Sequence, residues 1–285
     1  MLSPESWHGQ LNLVYTSNPD GTHGIMVRMQ APLKVQRPLY PEGPKVCHTI
    51  LLHTAGGIVG GDRLSLGCQL GPQAQVLITT AAAAKVYGSR GRSQVHPDGL
   101  RVHQQVKVTL APGSCLEWFP QETILFNGAV YQQHLRVDLA PGAVWCGWEI
   151  TRLGRTARGE QFCTGEWRSH TEVWQAGVPL WIDPQRLLPG DSHISSVHGL
   201  GDYPIVGSFV LLGLSVEATL VEQIRKLWPP GEPGEAGVTR LMGGLLCRYR
   251  GPSLTSARRW FIEAWHLLRP GYCGRSPCLP RVWPL

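Results

Sequence analysis

The sequence predicts a mainly β protein of layered, β-helix-like architecture with two C-terminal α-helices packed on it. Three observations carry that expectation. Apolar and polar residues alternate through much of residues 46 to 217, a strand-turn-strand unit recurs, and two apolar stripes of helical period appear late in the chain. The 285 residues suffice for one large β domain, 1–285, with a β body over about 10–217 and a helical C-terminal part over about 215–285.

The strands are read first. Period-2 alternation marks QVLITT (75–80), LRVHQQVKVTL (100–110), HLRVDL (134–139) and VWCGWEI (144–150), each bounded by Gly or Pro turn signals. VKVTLAPGSCLEW (106–118) and LRVDLAPGAVWCGWE (135–149) share a basic residue, then Val-x-Leu-Ala-Pro-Gly, then a strand with Trp and Glu. CQLGPQAQVLITT (68–80) is a looser copy in which Gly71-Pro72 replaces the Pro-Gly. A repeat of this kind is what stacked β layers would write.

The helices follow. In SVEATLVEQIRKLW (215–228), Val216, Leu220, Ile224 and Leu227 line one face, Ser215 is placed to cap the start, and Pro229-Pro230 ends it. In TSARRWFIEAWHLL (255–268), Ala257, Trp260, Phe261, Ala264 and Leu268 form the buried stripe, and Pro270 stops it. PPGEPGEAGV (229–238) between them reads as an exposed loop.

Composition narrows the function classes. Charged residues are 16% of the chain, against roughly 25% in an average soluble protein. The formal charge is +6, yet the basic residues are scattered without a run of five, so a nucleic-acid stripe is not expected. The N-terminus lacks a charged leader before an apolar core, and the longest apolar stretch, 205–216, is too short to span a bilayer. A cytoplasmic protein with no membrane contact is therefore expected. Eight cysteines without a C-x-x-C pair are read as reduced thiols, most of them in apolar strands.

LLHTAGGIVGGDRLSLGCQL (51–70) looks like a phosphate cradle until its end. A P-loop needs Lys and then Ser or Thr after the last glycine, where Asp62 and Arg63 stand. G-x-G-x-x-G is not completed either. Gly56, Gly57, Gly60 and Gly61 are therefore read as backbone devices that permit a tight turn and close strand packing. Asp62 caps that turn, pairs with Arg63, or lines a polar interior path. Glu122 and Glu149 stand in apolar strands, where a carboxylate is costly unless paired, hydrogen-bonded or hydrated. Each is read either as an Arg-paired structural acid or as part of the same path, a transient oxygen ligand for a divalent ion. No tight metal site is expected, because His48 and His53, and His193 and His198, are five apart, a spacing that opposes them on a strand. G-x-S-x-G and H-E-x-x-H are absent, so no catalytic residue is assigned.

Six separated motifs point further. LHTAGGIVGGDRL, AQVLITTAAAAKVYGS, LEWFPQETILF, GWEITRLGRTARGEQF, GLGDYPIVGSFVL and PRVW resemble, in order and spacing, the urease accessory protein UreD (UreH) family over roughly residues 10 to 284. Ala55, Ala81 and Gly88 depart from that pattern, with Arg90 and Arg92 near the last. The resemblance implies a single UreD-like domain with a mostly β, two-layered fold. It implies a non-enzymatic maturation factor that associates with UreF and the GTPase UreG and docks on apo-urease while nickel is delivered, with Ni(2+) a transient passenger and no tightly bound cofactor. Asp62, Glu122 and Glu149 are then candidate channel residues. Trp260, Phe261 and Trp265 are candidates for a UreF interface, since Trp265 falls beside the buried stripe. Cover by the PRVWPL tail is the other reading of Trp265. The rival class is an acid/base hydrolase, which would need Asp62, Glu122 and Glu149 to converge on one open cleft.

Overall fold

The computed structural model describes residues 6–190 and 194–283, so His193 lies outside the described residues. The alternating segments pair into two sheets. The first runs β14 (Val178–Leu187), β13 (Glu166–Gln175), β11 (Val130–Leu139), β8 (Val102–Leu110), β5 (Arg63–Leu70), β1 (His8–Asn18) and β2 (Gly21–Gln30). The second runs β16 (Glu235–Leu241), β17 (Gly244–Gly251), β15 (Ile205–Leu212), β12 (Val144–Leu153), β9 (Cys115–Phe119), β6 (Gln75–Thr80), β4 (Val46–His53) and β3 (Leu33–Val35). Two short strands, β7 (Ala84–Val86) and β10 (Thr123–Leu125), extend it beside β12.

Within each sheet the central pairs are parallel: β1, β5, β8, β11 and β13 in the first, and β4, β6, β9 and β12 in the second. From β4 to β13 the long strands alternate between the sheets, each lying beside its predecessor in the same sheet. The inner faces meet in one core of Leu11, Leu13, Leu66, Val76, Ile78, Val106, Val108, Leu116, Trp118, Leu135, Val137 and Trp145. A strand whose alternate residues enter such a core is fixed in register, because a slip of one residue would turn its apolar set outward.

The recurrent turn explains the stacking. Gly71-Pro72-Gln73, Ala111-Pro112-Gly113 and Ala140-Pro141-Gly142 lie in one column, with Ala111 N–H bonded to Leu70 O at 3.0 Å and Ala140 N–H to Leu110 O at 2.9 Å. The third position of each is left-handed, at φ 61°, 70° and 75°. The looser copy thus aligns proline on proline, and Gln73 occupies the place of a glycine.

The outer face of the second sheet carries α1 (Ala218–Lys226) and α2 (Leu254–Cys273), over a core that includes Phe119, Cys146, Trp148, Phe209 and Cys247. Ser215 does not cap α1, whose N-cap is Glu217 without a side-chain bond, and its buried positions are Val221 and Ile224. Pro270 does not stop α2, because the helix runs on to Cys273 and ends at left-handed Gly274, φ 64°. Residues 235–238 are not loop but the start of a hairpin, β16–β17, that extends the second sheet through β15. The C-terminal part is therefore helices plus a hairpin. α2 begins at Ser253, whose Oγ accepts from Ser256 N–H at 3.1 Å, the N-cap arrangement.

Candidate functional site

The glycine-rich segment is a corner leading into β5. Gly61 adopts φ 96°, a left-handed conformation that side chains disfavour. Gly60 is needed for another reason, since a Cβ there would lie 2.6 Å from Ser89 Cβ and 2.8 Å from Leu100 O. Gly57 faces the Tyr87 ring in the same way, while Gly56 faces open space.

Asp62 closes this corner. Its side chain is buried, and the two carboxylate oxygens accept from Trp7 N–H at 3.1 Å and Val59 N–H at 3.0 Å. Glu122 accepts from Arg258 Nη2 of α2 at 2.6 Å, which ties the β9–β10 connection to the helix. Glu149 differs from both. On β12 it points between the sheets, where Gln133 Nε2 donates to Oε1 and Ser169 Oγ donates to Oε2 at 3.2 Å. Burial pushes its carboxyl up to about 7; the Ser169 hydrogen bond opposes that rise and the Asp183 charge adds to it.

Two cavities meet at Glu149 and Thr151. One, about 620 Å³, is lined also by Asp183, His198, Arg248 and Arg250. The other, about 30 Å³, leads past Gln133 toward Gln121 and Thr123. Asp62 and Glu122 line neither cavity. The three acids are therefore separate, and the convergent cleft a hydrolase would need is not formed by them. Asp183, at the rim, is held by Arg248 Nη2 at 2.5 Å and Gln185 Nε2 at 2.6 Å.

Trp260, Phe261 and Trp265 are corrected as interface residues, because all three are at most 1% exposed. Trp265 lies beneath Trp283 of the tail, ring centroids 5.9 Å apart, and its Nε1 donates to Glu117 Oε1 at 2.6 Å. Glu117 belongs to a buried clamp that sequence reasoning missed. Arg269 of α2, fully buried, donates to Glu117 Oε1 and Oε2 at 2.9 and 3.0 Å and to Glu42 Oε1 and Oε2 at 2.7 and 2.6 Å. Tyr272 OH adds a bond to Glu117 at 2.6 Å, and His48 faces Glu42 at 2.7 Å. The signal was faint: Arg269 stands one residue before the proline taken as the helix stop, and its partners lie 152 and 227 positions away.

A second missed group lies on the outer face of the first sheet. His134 and His170 are direct neighbours on parallel strands, and His134 Nε2 is 2.9 Å from Glu172 Oε1. Both histidines stand 36 residues apart in sequence, beyond the reach of a search over local spacing. Among the described residues all eight cysteines are free thiols, five of them buried. No helix among them is long and apolar enough to cross a membrane.

The family profile described as UreD urease accessory protein matches residues 8–284. A protein named urease accessory protein UreD from Nostoc punctiforme is 58% identical over 279 residues, 98% of this chain and 96% of its own. Its namesake from Thermosynechococcus vestitus is 49% identical over 98% of both chains, and that from Parasynechococcus marenigrum is 41% identical over 100% and 93%. With the profile spanning nearly all of its length, this chain belongs to the UreD urease accessory protein family.

Proposed function

We propose that this protein is a non-enzymatic scaffold in urease maturation that docks on apo-urease together with UreF and the GTPase UreG while nickel passes to the active site. The family match over residues 8–284 carries the reading. We assign the transit role to Glu149, because among the described residues it alone of the three acids has no guanidinium or backbone partner, and it lines the junction of two cavities. A carboxyl that titrates near neutrality exchanges a proton for a cation at little cost, and oxygen ligands of this kind hold nickel weakly enough to release it. Asp62 and Glu122 hold the fold on this reading, as do the glycines beside Asp62. The alternation of strands between two sheets whose central pairs are parallel supports a β-helix-like winding, with the cavity path lying between its layers. A cytoplasmic location fits a chain with eight free thiols.

Deletion of the gene, followed by separate assay of urease protein and urease nickel, tests the role. Abundant but nickel-poor urease is expected; full nickel content overturns the proposal. Glu149→Gln tests the path: the complex should assemble, and urease should load several-fold less nickel when nickel is limiting.

A further inference from the structure

The strands that present Gln133 and Ser169 to Glu149 present something else on their other side. Side chains alternate across a strand, so His134 and His170, one position along, face outward. There they meet Glu172, and the three donor atoms all lie within 4.8 Å of one another. We propose that His134, His170 and Glu172 form a binding site for a borderline divalent cation, nickel(II) or zinc(II), on the outer face of the first sheet.

The donor set fits that class. Two imidazoles and one carboxylate suit nickel and zinc better than magnesium or calcium, which prefer oxygen alone. The backbone brings the imidazoles together, because parallel pairing sets His134 directly beside His170, ring centroids 5.1 Å apart. Ligand atoms about 2.1 Å from a metal, at right angles to one another, are about 3 Å apart. His134 Nε2 and Glu172 Oε1 already stand at 2.9 Å, so the ion would take the place of the shared proton.

The carboxylate is also aimed. Its second oxygen accepts from Trp174 Nε1 at 2.7 Å and from Arg136 Nη1 at 3.2 Å, leaving Oε1 for the imidazole side. Such outer bonds orient metal ligands. Arg136, the guanidinium bonded to Glu172, is itself held by Asp138, which accepts from its Nε at 2.9 Å and Nη2 at 2.7 Å and offsets its charge, while Arg168 and Arg186 beside the same cavity are paired with Glu166. The cluster opens into a cavity of about 420 Å³, which leaves coordination positions to water or to a donor from another chain.

The test titrates the purified full chain with nickel and with zinc against a chromophoric chelator. Loss of one bound equivalent, or a fall in affinity of at least about tenfold, is expected in His134→Ala/His170→Ala, and a smaller fall in Glu172→Gln. Glu149→Gln should leave this equivalent in place, which separates the outer site from the interior path. Unchanged stoichiometry and affinity in the double variant overturns the proposal. Should that variant not fold, the wild-type protein still decides it: zinc should protect His134 and His170 from acylation by diethyl pyrocarbonate, and equal modification with and without zinc overturns it.

Discussion

Glu149 on β12 and Asp62 at the corner before β5 show how differently two carboxylates can be accommodated. The sequence marked the cost of Glu149 from its apolar strand and read Asp62 as a turn cap, a partner of Arg63 or part of a polar path. It could not tell their partners, because Gln133 and Ser169 reach Glu149 from two other strands, and Trp7 reaches Asp62 across 55 residues. Glu149 has its carboxyl raised to about 7, so the folded state binds its proton more tightly than the unfolded chain does. Its stabilising contribution is full below the unfolded value near 4.5 and is lost as pH rises through 7. Glu149→Gln should accordingly stabilise the chain at pH 8 by on the order of 1–3 kcal/mol and change little at pH 4.5; paired thermal melts check the difference. Neutralising Asp62 should destabilise, for want of an acceptor. Asparagine offers one acceptor to the two N–H groups the aspartate satisfies, so Asp62→Asn should cost roughly 1–3 kcal/mol, read as a lower denaturant midpoint.

At the scale of elements, the turns and the long strands were legible and the boundaries near proline were not. β6 was bounded correctly at 75–80, although its four middle residues are all buried, Val76 and Ile78 toward the first sheet and Leu77 toward the helices. Pro270 misled because proline in the last turn of a helix forfeits a hydrogen bond that the surrounding packing of α2 outweighs. The β16–β17 hairpin was hidden by Gly and Pro upstream and by its two-residue connection, Met242-Gly243. The stacked turns give a signed prediction. Gln73 and Gly113 occupy equivalent left-handed positions, which cost an L side chain roughly 1–2 kcal/mol. Gly113→Ala should therefore destabilise by about that amount, whereas Gln73→Gly should leave stability equal or higher, as denaturant melts of the two variants would show. Gly60→Val should fail more severely, because its Cβ would collide with Ser89 and with backbone at Leu100. Soluble yield should collapse, whereas Gly56→Ala, facing open space, should express normally.

Across the whole molecule, one guanidinium joins segments that the sequence sets far apart. Arg269 holds Glu117 in the second sheet and Glu42 before β4, and the tail reaches it through Ser276 O at 2.6 Å. Burial alone would raise the Glu42 carboxyl, but hydrogen bonds from His48 and Arg269 outweigh it and hold the group at about 2. A depressed folded-state value stabilises the fold above the unfolded value near 4.5, and that stability is lost as pH falls through 2. The clamp should thus fail in acid between those limits, with α2 and the tail released together. Arg269→Met should leave two buried carboxylates without their cation and cost about 3–5 kcal/mol. Adding Glu42→Gln and Glu117→Gln removes the stranded charges, so the triple variant should be more stable than Arg269→Met alone. Urea melts at pH 7 compare them directly. A triple variant no more stable than the single one would mean that Arg269 serves through packing against the Trp265 ring, and that the charges matter little.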